Sequence, residues 1–301
     1  MQGASNKASE TRPRSVNSLR TMGIPPTAVP TGAKLTGVTM RTLVFGGVGL
    51  AVLFVAAATS AGDAPTPPEG FKAMFNGRDL TGWKGSSQFL KVEDGCLTGT
   101  ADGKLKHNHF IVWQGGPVKN FEWRAKVKIN AKGNSGLQYR SVERPDLGDE
   151  VVVGYQCDVV PYRADYDGML YEERGRRILA HTSEKVIIDK DGQPWVVGEF
   201  PLKEFAPDQW HEYRVLVEGN RHRHWIDGQP TVEVIDLDEK GRKLEGILGM
   251  QVHVGPKMTV EFKDLYLKKL ADDLPLIGAA QAPIPATAVK VVPQGKDAKK
   301  K

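Results

Sequence analysis

Cysteine is almost absent from this chain of 301 residues, which contains only Cys96 and Cys157. Two thiols so far apart in sequence are weak evidence for a disulfide, although export, argued below, would permit one. A free cysteine behaves in most folded proteins as a small, buried apolar side chain. We therefore expect both cysteines to be buried and unpaired.

An excess of charge of one sign is also missing from the part of the chain that can fold. The whole sequence has 41 basic and 36 acidic residues. Six of the basic residues and one acid lie in the first 61 residues, so the remainder has 35 of each. A nucleic-acid-binding domain would keep a basic excess in its folded part. The composition therefore excludes nucleic acid as an expected partner.

The sequence lacks an apolar run long enough for a typical membrane span, which needs about 20 residues. Residues 43–58 are apolar and uncharged, follow Met40 and Arg41, and precede the small residues 59–61. A basic start, a short apolar segment and small residues at the end are typical of a secretory signal peptide. We predict that residues 1–61 are an N-terminal extension plus signal peptide, and that the protein is exported, to a periplasmic or extracellular location. An uncleaved anchor is the alternative, and membrane contact is expected only through this segment.

The sequence has no long stretch with helical periodicity, and the pattern in the middle of the chain predicts short strands separated by turns. Residues 121–129 alternate apolar and charged side chains, the period-2 pattern of a half-buried strand. Residues 211–217 alternate in nearly the same way, and Asp227-Gly228 between two such runs predicts a hairpin. We predict one all-β sandwich or barrel domain over residues 71–270. Residues 1–39 and the Ala-, Pro- and Lys-rich tail 271–301 bury too little apolar surface and are expected to be disordered.

Three predicted strands carry directional polar groups opposite their apolar side chains. Residues two apart on a strand point to the same side, which gives three pairs of side chains on the face away from the core: Gln138 with Arg140, Gln156 with Asp158, and Gln251 with His253. An ordinary solvated face usually carries Lys, Glu, Thr and Ser instead. Amide, guanidinium, carboxylate and imidazole groups can match the hydroxyls of a sugar. If the strands are neighbours, these pairs line one carbohydrate-binding groove; a solvated sheet face is the alternative.

A loop dense in aromatic and charged residues, 162–177, separates the second and third of these strands. Long ordered loops on a rigid sheet are often functional. Here Tyr171 could stack on a sugar ring, and Glu172 or Glu173 could transfer a proton. The arginines of the loop, among them Arg174 and Arg177, could bind an oxyanion. The alternative is a solvated cluster of charges that pair with one another.

Motifs for cofactors and metals are few. No Gly-x-Gly-x-x-Gly opens a βαβ unit, and we predict no nucleotide, flavin or other cofactor. The histidines at 107, 109, 211, 222 and 224 lack acidic or cysteine partners at ligand spacing, so we interpret them as surface residues and predict no metal site. Asp165-x-Asp167-Gly168 and Asp189-x-Asp191-Gly192 are each similar to the start of a calcium loop that neither completes. They leave a structural Ca²⁺ open.

Several ordered motifs over residues 71–268 resemble one family. They are FNGRDLTGW at residues 75–83, GNSGLQYR at 133–140 and GILGMQVH at 246–253. The chain is similar, over this range, to the 3-keto-disaccharide hydrolase domain family of exported bacterial proteins. The resemblance implies a two-sheet jelly-roll sandwich of the concanavalin-A-like type. Many members carry Glu where this chain has Gln156 and Gln where it has Asp158, which moves the carboxylate by two residues along one face.

The resemblance also implies cleavage of glycosides that are already oxidised to a ketone at sugar carbon 3. The ketone acidifies the C2 proton, a base removes it, and the C1 substituent leaves with a proton from an acid. The implied roles are base and acid for Asp158 and Glu172, and a second proton carrier for His253. The resemblance implies substrate binding by Gln138 and Arg140 and stacking by Tyr171. The polar pairs and the charged loop add Gln156, Gln251, Glu173, Arg174 and Arg177 as further candidate substrate-binding residues. The main alternative is a non-catalytic, lectin-like carbohydrate-binding module, whereas a laminarinase-type glycosidase needs Glu-x-Asp-x-x-Glu, which is absent.

Overall fold

The structure, a computed structural model, describes residues 66–292. The predicted N-terminal extension and signal segment lie outside the described residues. Residues 66–292 fold into two β-sheets, and their helical content is one 3₁₀ turn at Pro145–Leu147. The predicted fold class, an all-β sandwich of two sheets, is confirmed. Over the same residues, no helix has the length and apolar character needed to cross a membrane.

The larger sheet contains eleven strands in the described part of the chain. In chain order they are β1 (Lys72–Ala73), β3 (Leu90–Glu93), β4 (Cys96–Ala101), β6 (Phe121–Ile129), β11 (Glu184–Ile188), β12 (Pro194–Glu199), β13 (His211–Glu218), β14 (Arg221–Ile226), β15 (Gln229–Asp236), β17 (Met258–Lys269) and β18 (Val289–Lys290). Their spatial order is β18-β12-β11-β15-β14-β13-β6-β17-β4-β3, with β1 also paired to β17.

The smaller sheet contains seven strands among the described residues. They are β2 (Trp83–Lys84), β5 (His109–Trp113), β7 (Ser135–Glu143), β8 (Val152–Val159), β9 (Leu170–Glu173), β10 (Arg177–Ala180) and β16 (Ile247–Val252). Their spatial order is β10-β9-β8-β7-β16-β5-β2. One face of this sheet packs on the larger sheet, and the other face carries the candidate site.

The core lies between the two sheets and follows from the predicted alternation. Strand β6 pairs with β13 on one side and β17 on the other. Its residues Phe121, Trp123 and Val127 are fully buried, while Lys126 between them is exposed. Each large apolar side chain buried in this way contributes about 1.5–3 kcal/mol to stability. The alternation predicted for residues 121–129 is confirmed.

The hairpin predicted at Asp227-Gly228 is also confirmed. Strands β14 and β15 pair antiparallel across these two residues, whose φ angles are 48° and 74°. Positive φ at both central positions is the requirement of a type I′ turn, which Asp-Gly meets with little strain. The Asp227 carboxylate also accepts a hydrogen bond from the Glu212 backbone N–H at 2.8 Å and lies 2.7 Å from His211 Nδ1.

The C-terminal segment differs from its prediction. Residues 271–292 contact the larger sheet through backbone hydrogen bonds and strand β18, although most of their side chains are exposed. The folded domain therefore extends beyond residue 270, and residues 293–301 of the predicted tail lie outside the described residues. Asn220 holds the segment through two hydrogen bonds to the Ile277 backbone, of 2.8 and 3.0 Å. Strand β18 then pairs with β12, and Val291 is buried. The composition of this segment does not reveal its order, because backbone pairing and Asn220 hold it more than apolar burial does.

Both cysteines are buried and unpaired, as predicted. Cys157 lies on β8 and belongs to the core between the sheets. Cys96 begins β4 in the other sheet. Burial raises the pKa of both thiols, which keeps them in the weakly nucleophilic thiol form.

Candidate functional site

The three strands that carry the predicted polar pairs are neighbours in the smaller sheet. Strand β7 lies between β8 and β16. In this register Gln138 is opposite Gln156, and Gly136 is opposite Asp158. On the other side of β7, Gln138 is opposite Gly249, two residues before Gln251. The adjacency that the sequence could only assume is therefore present, and we call the side of the smaller sheet that faces away from the core the polar face.

Three glutamines occupy the centre of the polar face. Gln138 and Gln251 have no solvent exposure, and Gln156 is 2% exposed. Gln138 donates to the Gly154 carbonyl at 3.0 Å. The Oε1 atoms of all three glutamines and Nε2 of Gln251 are buried and have no hydrogen-bond partner among residues 66–292. Buried amide groups are costly without partners, so an enclosed water molecule, or a polar ligand that reaches them after a side-chain movement, would stabilise these atoms.

A glycine makes room for one of these amides. A Cβ atom at Gly136 would lie 2.3 Å from Cδ of Gln156. The Gln156 side chain therefore lies across β7 at Gly136. From there its Nε2 donates to Asp158 Oδ1 at 2.6 Å. The second glycine of the GNSG motif, Gly136, therefore leaves the space that the Gln156 side chain occupies.

Asp158 is a nearly fully buried carboxyl group, 4% exposed. Burial raises its pKa well above the ordinary value, and the neighbouring charge of Glu173 raises it further. The hydrogen bond from Gln156 and the charge of Arg177 oppose this shift. The largest effect is burial, so the pKa is raised and the protonated form is favoured. A carboxyl group of this kind can donate a proton at neutral pH.

The β9–β10 hairpin adds a second carboxylate and an aromatic ring to the polar face. Glu173 lies on β9 and accepts a hydrogen bond from Asn108 Nδ2 at 3.3 Å. Burial raises the pKa of Glu173, and the charges of Arg177 and Arg174 lower it in part. Arg177 stacks over the Tyr171 ring at 4.9 Å, and Arg174 Nε lies 3.9 Å from Glu173 Oε1. The predicted residues Tyr171, Glu173, Arg174 and Arg177 are therefore grouped on this hairpin.

Glu172 lies on the opposite side of β9, which corrects its predicted role. Its carboxylate accepts from Arg176 Nε at 2.6 Å, inside a cluster in which Arg176 also contacts Asp236 and Asp238 at 2.7 and 3.1 Å. Asp236 is fully buried and belongs to the larger sheet. Glu172 thus holds the hairpin to the opposite sheet. The carboxyl group that accompanies Asp158 on the polar face is Glu173.

Arg140 is also placed differently from its prediction. The pairing of β7 with β8 shifts after Tyr139, and Arg140 has a φ angle of 44°. The irregularity turns the side chain away from Gln138, so the two do not share a face. The guanidinium is buried and donates to the carbonyls of Lys119 at 2.7 Å and Gly219 at 2.7 Å. Burial lowers its pKa to about 10. Arg140 therefore links chain segments at the end of the sandwich and does not converge with Asp158.

His253 follows the last residue of β16, two positions after Gln251. It is half-buried, and a Cβ atom at Gly255 would lie 3.6 Å from its Nδ1. The neighbouring Val254 N–H donates to Asn108 Oδ1 at 2.9 Å. His253 therefore lies at the end of β16 on the Asn108 side.

Asn108 is the residue of this site that sequence reasoning missed. Its side chain joins two parts of the polar face, because Nδ2 reaches Glu173 and Oδ1 reaches the backbone after β16. The only signal in the sequence is its place in His-Asn-His directly before the apolar run of β5.

The interpretation of the histidines as surface residues is wrong for His222 and His224, which are fully buried. His224 Nδ1 lies 3.1 Å from the Gly168 carbonyl and must donate to it. Its Nε2 then accepts from the Tyr139 hydroxyl at 3.0 Å, and that oxygen accepts from His222 Nδ1 at 3.1 Å. Burial lowers the pKa of His222 well below its ordinary value and that of His224 to about 4.

This histidine pair predicts a pH dependence of stability. A folded-state pKa of about 4 against an ordinary 6.5 means that the unfolded chain takes up the proton first as the pH falls. His224 then contributes about 3 kcal/mol that is present above pH 6.5 and lost between pH 6.5 and 4. We expect His224→Gln to reduce the pH dependence of the unfolding free energy in this window without removing it, because burial also lowers the pKa of His222. Urea unfolding at several pH values measures the slope, and an unchanged slope would contradict the assignment.

The aspartates of the calcium-like motifs are engaged within the protein. Asp165 pairs with Arg163 at 2.8 Å, and Asp167 accepts from the Tyr213 hydroxyl at 2.8 Å. Asp189 accepts backbone N–H groups of its own turn and Trp195 Nε1 at 2.8 Å. Over residues 66–292, no group of three or more His, Cys, Asp or Glu side chains is arranged to hold a metal ion.

Several solved structures are similar to this chain. A "putative glycosyl hydrolase" from Parabacteroides distasonis shares 22% sequence identity, covers 69% of this chain and 100% of its own, and has a TM-score of 0.48. The carbohydrate-binding module CBM66 from Bacillus subtilis shares 16%, with coverages of 63% and 97% and a TM-score of 0.43. A protein of unknown function with a galectin-like fold, also from Bacillus subtilis, shares 12%, with coverages of 63% and 90% and a TM-score of 0.43.

A search of curated proteins found no match. A family model does match, over residues 70–268, and this range includes every residue of the polar face. It is described as a 3-keto-alpha-glucoside-1,2-lyase-like domain. The ordered motifs of the sequence and the match agree in range and in family. The chain belongs to the 3-keto-alpha-glucoside-1,2-lyase-like domain family.

Proposed function

We propose that this protein is an exported bacterial enzyme that cleaves 3-keto-glycosides by removing the C2 proton and eliminating the C1 substituent. One observation carries the proposal. Asp158 and Glu173 are both buried on the polar face and both have raised pKa values, and Asp158 accepts a hydrogen bond from Gln156, whose Oε1 has no partner among residues 66–292. Two carboxyl groups with different shifts suit a pair in which one accepts a proton and the other donates one.

The proposed reaction assigns the two carboxyl groups by their environments. Burial raises the pKa of Asp158 most strongly, so Asp158 is the acid, and Glu173, closer to two arginines, is the base. Glu173 removes the C2 proton of the sugar, and the electron pair forms an enolate with the C3 oxygen. The C1–O bond then breaks as Asp158 gives its proton to the leaving alcohol. Water adds to the unsaturated product, and exchange with solvent restores both carboxyl groups.

The other residues of the polar face bind the sugar and stabilise the enolate in this proposal. Arg177 and the Gln156 amide lie beside the carboxyl groups, and both can donate to the developing oxyanion. Gln138 and Gln251 offer further amide atoms for ring hydroxyls. Tyr171 presents an aromatic ring next to Glu173. His253, at the end of β16, is a second proton carrier for the hydration step.

A comparison of oxidised and ordinary glycosides tests the proposal. We expect the purified protein to release the alcohol from a 3-keto-glucoside and to leave the matching unoxidised glucoside intact. The reason is that only the C3 ketone makes the C2 proton acidic enough for a carboxylate base. Reducing-sugar or aglycone release measured for both compounds gives the answer, and equal rates for the two would rule out this chemistry.

The lectin-like function remains the second candidate because the unpartnered amides need only a polar ligand and not a reaction. A protein of that kind would bind both the oxidised and the unoxidised glycoside and would release product from neither. Calorimetric binding together with the release assay therefore separates the two functions.

A further inference from the structure

The larger sheet carries a row of aromatic and guanidinium side chains on the side that faces away from the core. Trp225 on β14 is opposite Arg214 on β13. Arg214 is in turn opposite Arg124 on β6, and Arg124 is opposite Tyr266 on β17. The residues directly before and after each of these four are buried in the core, so the four side chains point outward. We call them the outer row, which is about 14 Å wide at the usual strand spacing.

Aromatic rings hold the two guanidinium groups of the outer row in place. Arg214 Cζ lies 4.4 Å from the centroid of the Trp225 ring. Arg124 Cζ lies 4.8 Å from the centroid of the Phe71 ring, which directly precedes β1. Both distances are within the range of a cation–π contact. The guanidinium groups are therefore ordered before a ligand arrives, which reduces the entropy cost of binding.

The two arginines share one carboxylate. Arg124 Nε and Arg214 Nε donate to the same Oε1 atom of Glu122, at 2.8 and 2.6 Å. Like charges directly opposite on neighbouring strands repel, and one carboxylate offsets only one of the two positive charges. A guanidinium has five N–H donors, so both arginines have N–H groups beyond those that bind Glu122. Each arginine side chain is 30% exposed, and a ligand from solution can therefore reach it.

The other charges on this side of the larger sheet do not remove the positive excess. Two residues along the strands, two lysines lie among two acidic residues, and beside Trp225 one further arginine is ion-paired: the groups are Lys126 and Lys263 with Glu212 and Asp264, and Arg223 with Glu218. Lys268 lies 6.0 Å from the Phe71 ring centroid and adds a positive charge. The outer row is thus a local cationic site flanked by aromatic rings.

We propose that the outer row binds an acidic polysaccharide, a chain of uronic acid residues, through its carboxylates. The planar fork of a guanidinium matches the geometry of a carboxylate. Trp225 and Phe71, beside the two arginines, provide aromatic surface for the apolar C–H groups of the sugar rings. Nucleic acid fits less well, because residues 62–301 have 35 basic and 35 acidic residues and no broad basic excess.

This surface is separate from the polar face, because the two lie on opposite outer sides of the sandwich. The proposal therefore does not depend on the function proposed above. An acidic polymer bound at the outer row would hold the protein on that polymer and leave the polar face open.

Two forms of one polymer test this assignment. They are polygalacturonate and its highly methyl-esterified form, which has the same sugar chain without most of the charge. We expect wild type to bind polygalacturonate more tightly in calorimetry, and added salt to weaken this binding. Arg214→Gln should weaken binding of polygalacturonate by about 10-fold, as expected for the loss of a charge-assisted contact. Its binding of the esterified form should stay unchanged.

Arg144→Gln is the matched control, because Arg144 also forms an ion pair with a carboxylate, that of Asp146, but follows β7 of the smaller sheet. It should bind both polymers as wild type does, and thermal unfolding shows whether each variant is folded. Equal binding of the two polymers by wild type, or unchanged binding by folded Arg214→Gln, would overturn the assignment. Equally tight binding of single-stranded DNA would overturn the choice of an acidic sugar chain.

Discussion

Replacing Asp158 by Asn is expected to lower kcat for a 3-keto-glycoside by about 10²- to 10⁴-fold, the usual contribution of a positioned acid. Asn has nearly the same shape and can still accept from Gln156, but it has no proton to give. Because burial raises the pKa of Asp158, its ionised form is unfavourable in the folded protein. The variant should therefore be at least as stable as wild type at pH 7 to 8, although it is inactive.

Steady-state kinetics and thermal unfolding measured on the same preparation check both parts of this prediction. Asp165→Asn is the matched control, since the Asp165 side chain forms a half-exposed ion pair with Arg163, and such a pair contributes little to stability in water. It should retain both activity and stability. Activity within a few fold of wild type in Asp158→Asn would remove Asp158 from the mechanism.

Glu172→Gln and Glu173→Gln should have opposite effects, although the two residues are consecutive. Glu173→Gln removes the proposed base and should lower kcat by about 10²- to 10⁴-fold. The unfolding free energy of Glu173→Gln should change little. Among the described residues, Glu173 accepts one hydrogen bond, of 3.3 Å, from Asn108. Glu172→Gln weakens the buried pair with Arg176 and should cost about 3 kcal/mol of unfolding free energy. It should leave kcat largely intact below the unfolding temperature.

Urea unfolding and kinetics of the two variants, measured side by side, test this contrast, and each variant serves as the control for the other. The result that would contradict the placement is an inactive but stable Glu172→Gln protein. Loss of stability in both variants, with activity retained in both, would instead assign the two carboxylates to structure alone.

The polar face could be predicted from the sequence because it follows a local rule. Gln138, Gln156, Asp158 and Gln251 alternate with core residues on regular strands, and the period of two places them correctly. Arg140 breaks that rule through a bulge with positive φ, and no glycine or asparagine marks the position. An irregularity of this kind depends on the neighbouring strand and cannot be read from β7 alone.

Glu172 and Glu173 show a different limit of sequence reasoning. Leu170 is an apolar residue of the core. Alternation along β9 therefore places Glu172 on the core side with Leu170, and Glu173 on the polar face. The aromatic and charged residues around this segment predict a loop, in which such an alternation has no meaning. Asn108 lay beyond prediction for another reason. Its role depends on contact with Glu173, 65 residues further along the chain.

The short strand β18 bears on how the protein behaves at high concentration. It pairs with β12 at Trp195 and Val196, at the end of the larger sheet. An uncovered strand at that position would offer its amide and carbonyl groups to a second molecule, which is a common start of aggregation. Strand β18 covers this part of the edge in the described structure. We therefore expect proteolytic removal of these residues to expose the edge of β12 and to increase aggregation.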